Sequence, residues 1–288
     1  VFNVGLQYKR IDPGYRTFGA YFFNDDLENY TVNASWSMLE GKLNVNASGG
    51  IQQNNLEEDK TATVKRLIGA LNLAYNLEKL NLGFNYSNFT NDVAYLLNAN
   101  LDSLNVVVVT NNIGLTSNYR WESKGGRQQN LNATFNIQQV TDDIIDPQRT
   151  NAAKMLVGNL GYTVVFGESG WNVNSRINYN RNRLAMMDMN RWGVGGGVSK
   201  SFLESKLRTG LTVNYYRTVS DRLFTSNTFQ SRLNTSWQAS DSHDLNLGIS
   251  LMGQGKNVEN GTGQSFEELM VTLGYNFRFS VQKKKETE

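Results

Sequence analysis

The sequence predicts an all-β fold, a transmembrane antiparallel up-and-down β-barrel of about 14 strands, with 16 strands as the alternative. Three observations predict it. Strand-like segments alternate apolar and polar residues, their connections alternate in length, and the 288 residues include only two prolines. Proline cannot pair on both sides of a strand, so its scarcity favours a continuous sheet. Strict alternation is typical of a wall with lipid on one face and a polar lumen on the other.

The composition excludes several other classes. No run of about 18 apolar residues is present, so membrane-spanning helices are not expected. The chain has no cysteine, which excludes disulfides, thiolate metal sites and cysteine nucleophiles. The net charge of +2 is nearly balanced and gives no support for nucleic-acid binding. No cofactor is predicted.

The C-terminal segment has the strictest alternation. Its apolar face carries Val271, Leu273, Tyr275, Phe277 and Phe279, and its polar face carries Thr272, Gly274, Asn276 and Arg278. The same pattern predicts earlier strands near 5–11, 15–23, 30–38, 43–48, 63–77, 80–87, 106–121, 131–138, 155–166, 171–180, 191–201, 206–217, 226–238 and 245–251. The polar faces are rich in asparagine, a poor strand former, and a hydrated lumen would accommodate it.

The N-terminus leaves two alternatives open, because including Phe2–Ile11 gives about 15 strands and bacterial single-chain barrels have even numbers. Residues 1–14 either lead into a barrel over 15–280, entering from the periplasm or lying in the lumen, or they form an extra strand of a 16-stranded barrel. The sequence starts at Val1 without a signal peptide. We therefore expect either a mature chain or the C-terminal part of a longer one.

The connections predict an orientation. Counted back from the C-terminus, long connections at 253–267, 218–225, 183–190, 140–152, 88–105 and 53–62 alternate with short ones at 239–244, 202–205, 167–170, 122–127, 77–79 and 39–42. Outer-membrane barrels place short turns on the periplasmic side, so the C-terminus is expected there. Four of the five tryptophans lie near short turns and would form an aromatic girdle: Trp36, Trp121, Trp171 and Trp237.

The last strand also carries a family resemblance. Thr272-x-Gly274-x-x-Phe277-x-Phe279 is similar to the C-terminal insertion signal of bacterial outer-membrane barrels, and the asparagine-rich strands resemble outer-membrane proteins of the Bacteroidota type. The resemblance implies the bacterial outer membrane as location. It implies lipid, lipopolysaccharide and the barrel-insertion machinery as partners. Residues 281–288 would be a charged periplasmic tail after the usual end of the signal.

Several polar residues are candidates for lumenal roles. Arginines on polar faces would form an anion-selective ladder or brace the lumen through carboxylates and amides: Arg66, Arg120, Arg176, Arg208, Arg232 and Arg278. Gly193, Gly195 and Gly197 share one face and would either leave space in the lumen or allow a large neighbour across the sheet to pack against the backbone. Acidic clusters at Asp25-Asp26, 57–59 and 142–146 are expected to be solvated loop charge, with lipopolysaccharide-bridging cations as the alternative.

Two predicted outer loops are unusually apolar, which marks an interface or a plug folded into the barrel mouth. They are Asp92–Leu104, with Tyr95, Leu96 and Leu97, and a methionine-rich loop with Met186, Met187 and Met189. The single histidine, His243, is predicted to be a plain turn residue, and no catalytic or metal-binding constellation is found. The sequence thus predicts a non-catalytic anchor or subunit of a larger outer-membrane assembly, in contact with other outer-membrane or periplasmic proteins. The alternative is a channel or transporter for small or hydrophobic solutes.

Overall fold

The computed structural model describes residues 1–15, 25–95, 106–144, 146, 148, 150–167, 169–221, 224–258 and 264–279. The described residues form 14 strands: β1 Phe2–Ile11, β2 Leu27–Met38, β3 Leu43–Asn54, β4 Ala62–Asn76, β5 Leu80–Tyr95, β6 Val106–Ser123, β7 Arg127–Asp142, β8 Ala153–Phe166, β9 Trp171–Leu184, β10 Met187–Phe202, β11 Leu207–Ser220, β12 Phe224–Ser240, β13 His243–Val258 and β14 Gln264–Phe277.

All 14 strands belong to one sheet, and each strand neighbours the next one in the sequence. The fold class predicted from the sequence, an all-β up-and-down barrel of about 14 strands, is confirmed in strand number, direction and order. In the part of the chain that the structure describes, no helix is long and apolar enough to cross a membrane.

The N-terminal segment is a strand. β1 pairs antiparallel with β2, from Phe2 opposite Trp36 to Ile11 opposite Leu27. Of the two alternatives for residues 1–14, the structure therefore has the strand, and this strand is one of the 14. The strand predicted over 15–23 lies outside the described residues apart from Tyr15, as does the tail 281–288.

The connections correct part of the predicted length pattern. The loops predicted at 183–190 and 218–225 are wrong: β9 and β10 are separated only by Ala185 and Met186, and β11 and β12 by residues 221–223. The strands continue because cross-strand polar contacts replace the apolar alternation. Arg183 Nε lies 3.1 Å from Asp188 Oδ2, and in the second case Thr218 lies opposite Ser226 and Val219 opposite Thr225.

The chain divides into two compact units. The first comprises Val1–Tyr119, Asn132–Asn159 and Tyr179–Asn190, and the second comprises Arg120–Leu131, Leu160–Asn178 and Arg191–Glu288. In the first unit β1 to β5 pair successively. In the second unit β11 to β14 pair successively, with one irregularity between Gln238 and Ser240.

Neither unit has a conventional apolar core. Among the described residues, the buried apolar side chains are Ile11 and Leu27 alone, with 8% and 9% of their surface exposed. Leu273, by contrast, is 80% exposed. Because burial of apolar surface normally drives folding, these faces need a cover other than the described protein. Further apolar side chains exposed on strands of the second unit are Val173, Ile177, Leu211, Leu245, Leu251, Leu269, Val271, Tyr275 and Phe277.

Candidate solute-binding site

The site lies on the polar face of the second unit and starts from a glycine stripe on β10. A Cβ atom added to Gly193 would lie 2.7 Å from Cε1 of Tyr216, and one added to Gly195 would lie 3.0 Å from the Val213 carbonyl. Real Cβ atoms essentially never come closer than 3.0 Å to another heavy atom, so Tyr216 would have to shift at Gly193, and Asn214, whose Oδ1 is nearer still than the Val213 carbonyl, would have to shift at Gly195. Of the two predicted roles for these glycines, close packing of a large neighbour against the backbone is confirmed at Gly193, where the neighbour is Tyr216.

The stripe fixes two side chains in place. The guanidinium of Arg191 stacks on the Tyr216 ring, 4.3 Å from its centroid. Beside it, Arg176 donates from Nε and Nη2 to Asn214 Oδ1 at 3.0 and 2.5 Å. Asn214 is only 9% exposed and lies over Gly195. Tyr216 and the Asn214–Arg176 pair thus form a rigid floor.

A concavity of about 590 Å³ opens over this floor, and a second one of about 590 Å³ adjoins it. Asn214, Gln230 and Asn234 supply amide groups to the first, and Thr212 and Ser250 supply hydroxyl groups. Two charged groups and two thioethers also line the first concavity, namely those of Arg232, Glu268, Met252 and Met270. The chemistry is that of a polar cleft able to bind small solutes through amides and charges.

The six predicted arginines fall into different environments. Arg66 donates to Asn91 Oδ1 and Gln52 Oε1, both at 3.3 Å. Arg278 pairs with Asp244 at 2.5 Å. With Arg176 on Asn214, these residues fit the bracing interpretation. Arg208 and Arg232 line the two concavities, and Arg120 lies in β6.

The four tryptophans of the predicted girdle all lie near strand ends beside short connections. Trp36 meets Phe2 edge-on at 6.2 Å, and Trp121 stacks on Tyr162 at 6.0 Å. Lys200 Nζ lies 4.8 Å above Trp171. Trp237 faces Leu207 and Leu245 across the sheet. Their role at a membrane interface stays a prediction.

Of the predicted insertion signal, Thr272, Gly274 and Phe277 lie in β14, and Phe279 follows two residues after the strand ends. Thr272 lies opposite Gly248 and Gly274 opposite Asn246. The rings of Phe277 and Phe279 are 6.3 Å apart, and Phe279 is 79% exposed.

His243 is not in a turn, as the sequence suggested, but is the first residue of β13. Its Nδ1 lies 2.6 Å from the hydroxyl of Tyr275. Its imidazole ring lies 5.0 Å from the ring of Phe277. Contact with Tyr275 and Phe277 accommodates the polar imidazole of His243 at the end of the apolar face of β13.

The two predicted apolar loops do not have their predicted extent. Tyr95 is the last residue of β5, and Leu96 and Leu97 lie outside the described residues. Met187 and Met189 belong to β10, so the methionine-rich loop is wrong. Met186 does lie in the turn and is 73% exposed.

Sequence reasoning missed a buried carboxylate in the first unit. Asp26, expected to be solvated, is fully buried and accepts hydrogen bonds from the backbone N–H groups of Asn55 at 3.1 Å and Leu56 at 2.8 Å. Lys60 Nζ forms an ion pair with it. Asn55, also buried, bonds to the Lys60 backbone and to Thr63.

The two charged groups of this cluster shift each other's pKa. Burial raises the pKa of Asp26, but the hydrogen bonds from Lys60 and from the Leu56 and Asn55 backbone outweigh burial and lower it below 3.8. The hydrogen bond to Asp26 raises the pKa of Lys60 above 10.5. The ion pair is therefore the stable form over most of the pH range. In the sequence, the adjacent carboxylates of Asp25 and Asp26 are the one feature that indicates this cluster.

No family model matches the chain. No curated protein matches it either. Several solved structures do match the chain. CdiB from Acinetobacter baumannii is 10% identical over 96% of this chain and 66% of its own, with a TM-score of 0.38. The siderophore receptor PirA from the same organism is 9% identical over 86% and 56%, with a TM-score of 0.46.

OmpT, an outer membrane protein of Vibrio cholerae, is 7% identical over 96% of both chains, with a TM-score of 0.44. The chain spans slightly under two thirds of CdiB and just over half of PirA. With TM-scores below 0.5, the assignment of function rests on this chain's own residues.

Proposed function

We propose that the chain is the β-barrel of a bacterial outer-membrane protein and that its polar face lines a water-filled path for small polar solutes. One observation carries the proposal: the strands expose apolar side chains on one face, whereas the other face holds amides, hydroxyls and charges. In the described residues Arg232 and Glu268 lack hydrogen bonds and ion pairs. Unpaired charges need water, and exposed apolar faces need lipid.

The proposed orientation is supported by the longer connections. Residues 12–26, 55–61, 96–105 and 143–152 alternate along the chain with the shorter connections 39–42, 77–79, 124–126, 167–170, 203–206 and 241–242, and only 185–186 and 221–223 depart from this alternation. We assign the end with the shorter set to the periplasm, together with the C-terminal end of β14. Lipid and lipopolysaccharide would cover the apolar face, and the insertion machinery would recognise the strand that ends at Phe277 and Phe279.

Two neighbouring residues of β14 test the membrane assignment. Leu273 on the apolar face is 80% exposed, and Thr272 lies on the polar face and lines the second concavity. Leu273→Arg is expected to destabilise the protein in phosphatidylcholine vesicles by about 2–4 kcal/mol, the cost of arginine on a lipid face. Thr272→Arg, the matched control, should cost under about 1 kcal/mol because its charge stays hydrated. Equal costs would refute the assignment.

Conductance measurements test whether the proposed water-filled path is open. The refolded chain in planar bilayers should give steady single-channel currents. If the two faces are assigned correctly by the arginine variants and no current is seen, the barrel is closed and the path is refuted.

The anchor or subunit role is the second candidate. The exposed Met186 in the β9–β10 turn favours it, because an adaptable apolar side chain at a tip suits a protein contact. Purification from native membranes should then give a complex that Met186→Ser weakens. A free chain in both preparations would contradict this role.

A further inference from the structure

Two unpaired opposite charges face the same concavity. Arg232 on β12 and Glu268 on β14 both line the first concavity. Neither makes a hydrogen bond or an ion pair with the residues that the structure describes. Other polar-face charges nearby are engaged: Arg176 by Asn214, and Arg278 by Asp244. Arg208 also lacks such a bond among the described residues, but it lines the second concavity. Arg232 and Glu268 are therefore the charged groups of the first concavity that are available to a solute.

The strand register gives their separation. Arg232 lies opposite Ser250, and Ser250 lies opposite Met270. Gln230, Met252 and Glu268 form the next row on the same face. Glu268 is thus two strands away from Arg232 and two residues further along the strand direction. At ~4.8 Å per strand and ~3.4 Å per residue, the two Cα atoms are about 12 Å apart. Both side chains line the concavity, and their length and flexibility allow a smaller distance between the two charges than between the Cα atoms.

A short peptide matches this separation. At about 3.3–3.6 Å per residue, the charged ends of a di- or tripeptide are ~7–11 Å apart. A carboxylate accepts two parallel hydrogen bonds from a guanidinium, which is among the strongest polar contacts in proteins. An ammonium group pairs in turn with a carboxylate such as that of Glu268.

The wall between the two charges suits the rest of a peptide. Gln230 and Asn234 carry amide groups able to bond to peptide N–H and C=O groups, and Met252 and Met270 offer flexible apolar surface. Within the described part of the chain, Gln230 Nε2 has only Met252 Sδ as partner, at 3.7 Å, and a thioether sulfur is a weak acceptor. A peptide carbonyl would be a better one.

We propose that this concavity binds zwitterionic di- and tripeptides, with the peptide carboxylate on Arg232 and the ammonium on Glu268. The inference rests on the proposed function, because the solute reaches the polar face through a water-filled lumen. It narrows the solute class to compounds that carry both charges at opposite ends. Arg176 adds fixed positive charge near the carboxylate end and sets the direction of the bound peptide.

The experiment compares three probes by calorimetry on the refolded chain in detergent micelles: alanyl-alanine, N-acetyl-alanyl-alanine and alanyl-alanine amide. Alanyl-alanine should bind at least tenfold more tightly than either capped form. Arg232→Gln should lower its affinity about tenfold and abolish the preference over the amide. Glu268→Gln should abolish the preference over the acetylated form. Arg217→Gln, an exposed arginine of β11 outside the concavity, should change nothing.

Several outcomes would overturn the inference. They are equal binding of free and capped peptides by the unsubstituted chain, no binding at millimolar peptide, or variants that leave the preferences unchanged. The probe comparison holds even if a variant fails to fold. Conductance measured on the same preparations separates the two proposals. Current without peptide preference refutes the peptide site alone, and peptide preference without current refutes the open path alone.

Discussion

Gly193 gives the sharpest test of the floor beneath the concavity. An alanine Cβ at this position would lie 2.7 Å from Tyr216 Cε1 and 2.9 Å from Asn178 Oδ1. Ordinary contact begins at 3.4 Å, so the ring must move by at least 3.4 minus 2.7, or 0.7 Å. The stacked Arg191 guanidinium resists this movement. Overpacking of this kind costs about 1–3 kcal/mol, and we expect Gly193→Ala to destabilise the protein by that amount.

The matched control is Gly253 on β13, where nothing lies within 4 Å of an added Cβ atom. Gly253→Ala should be neutral or stabilise by about 0.4–1 kcal/mol, since it lowers the entropy of the unfolded chain. Guanidinium unfolding in lipid vesicles, followed by tryptophan fluorescence, measures both. Adding Tyr216→Ala to Gly193→Ala should remove most of the interaction cost in a double-mutant cycle. Equal effects of the two alanines, or a cycle without coupling, would refute the packing.

Three further predictions concern the first unit and the tryptophans. Asp26→Asn should destabilise the protein by about 1–3 kcal/mol, because it leaves Lys60 without its partner, and hydrogen exchange at the Asn55 and Leu56 amides should speed up; unchanged exchange would contradict this. Because the pKa of Asp26 is depressed in the folded state, its contribution to stability is present above pH 3.8 and is lost as the pH falls through the lower folded value. Because the pKa of Lys60 is raised, its contribution to stability is complete below pH 10.5 and is lost as the pH rises through the higher folded value. The urea concentration at the unfolding midpoint should therefore fall at both pH limits in the unsubstituted chain and at neither limit in Asp26→Asn. A variant retaining only Trp237 should be quenched by brominated lipid near the periplasmic headgroups, and identical quenching of a variant retaining only Trp192 would contradict the assigned depth.

The alternation was sufficient to predict the strands that have one apolar face. Val271, Leu273 and Tyr275 repeat at every second position, and this period belongs to strands alone. The same reasoning failed at β9 and β10 beyond Arg181, where the alternation reverses its phase. Leu184, Met187 and Met189 take positions of the polar face, and Arg183 and Asp188 take positions of the apolar face. The ion pair of Arg183 with Asp188 across the two strands shows that they nevertheless continue.

The Asp26 cluster shows a different limit. Its partners, Asn55, Leu56 and Lys60, lie about 30 positions away in the sequence, and no local pattern links them. Asp26 and Asn55 both adopt positive φ angles, 57° and 58°. Asparagine and aspartate tolerate this region better than most residues, so the residue types permit the conformation without specifying it. Tertiary contact decides that the carboxylate is buried.

The asparagines of β9 connect the sheet to its proposed lumen. Among the described residues, the Oδ1 atoms of Asn172 and Asn178 are buried and have no hydrogen-bond partner in the protein. In the dry interior of a sandwich, each unsatisfied amide would cost about 1–3 kcal/mol. On a hydrated face this cost is removed by a small rotation of the side chain, which exposes the oxygen to a water molecule that can donate the missing hydrogen bond. The abundance of asparagine, unfavourable for strand formation, is therefore best explained by hydration of this face, the same condition that leaves Arg232 and Glu268 free for a solute.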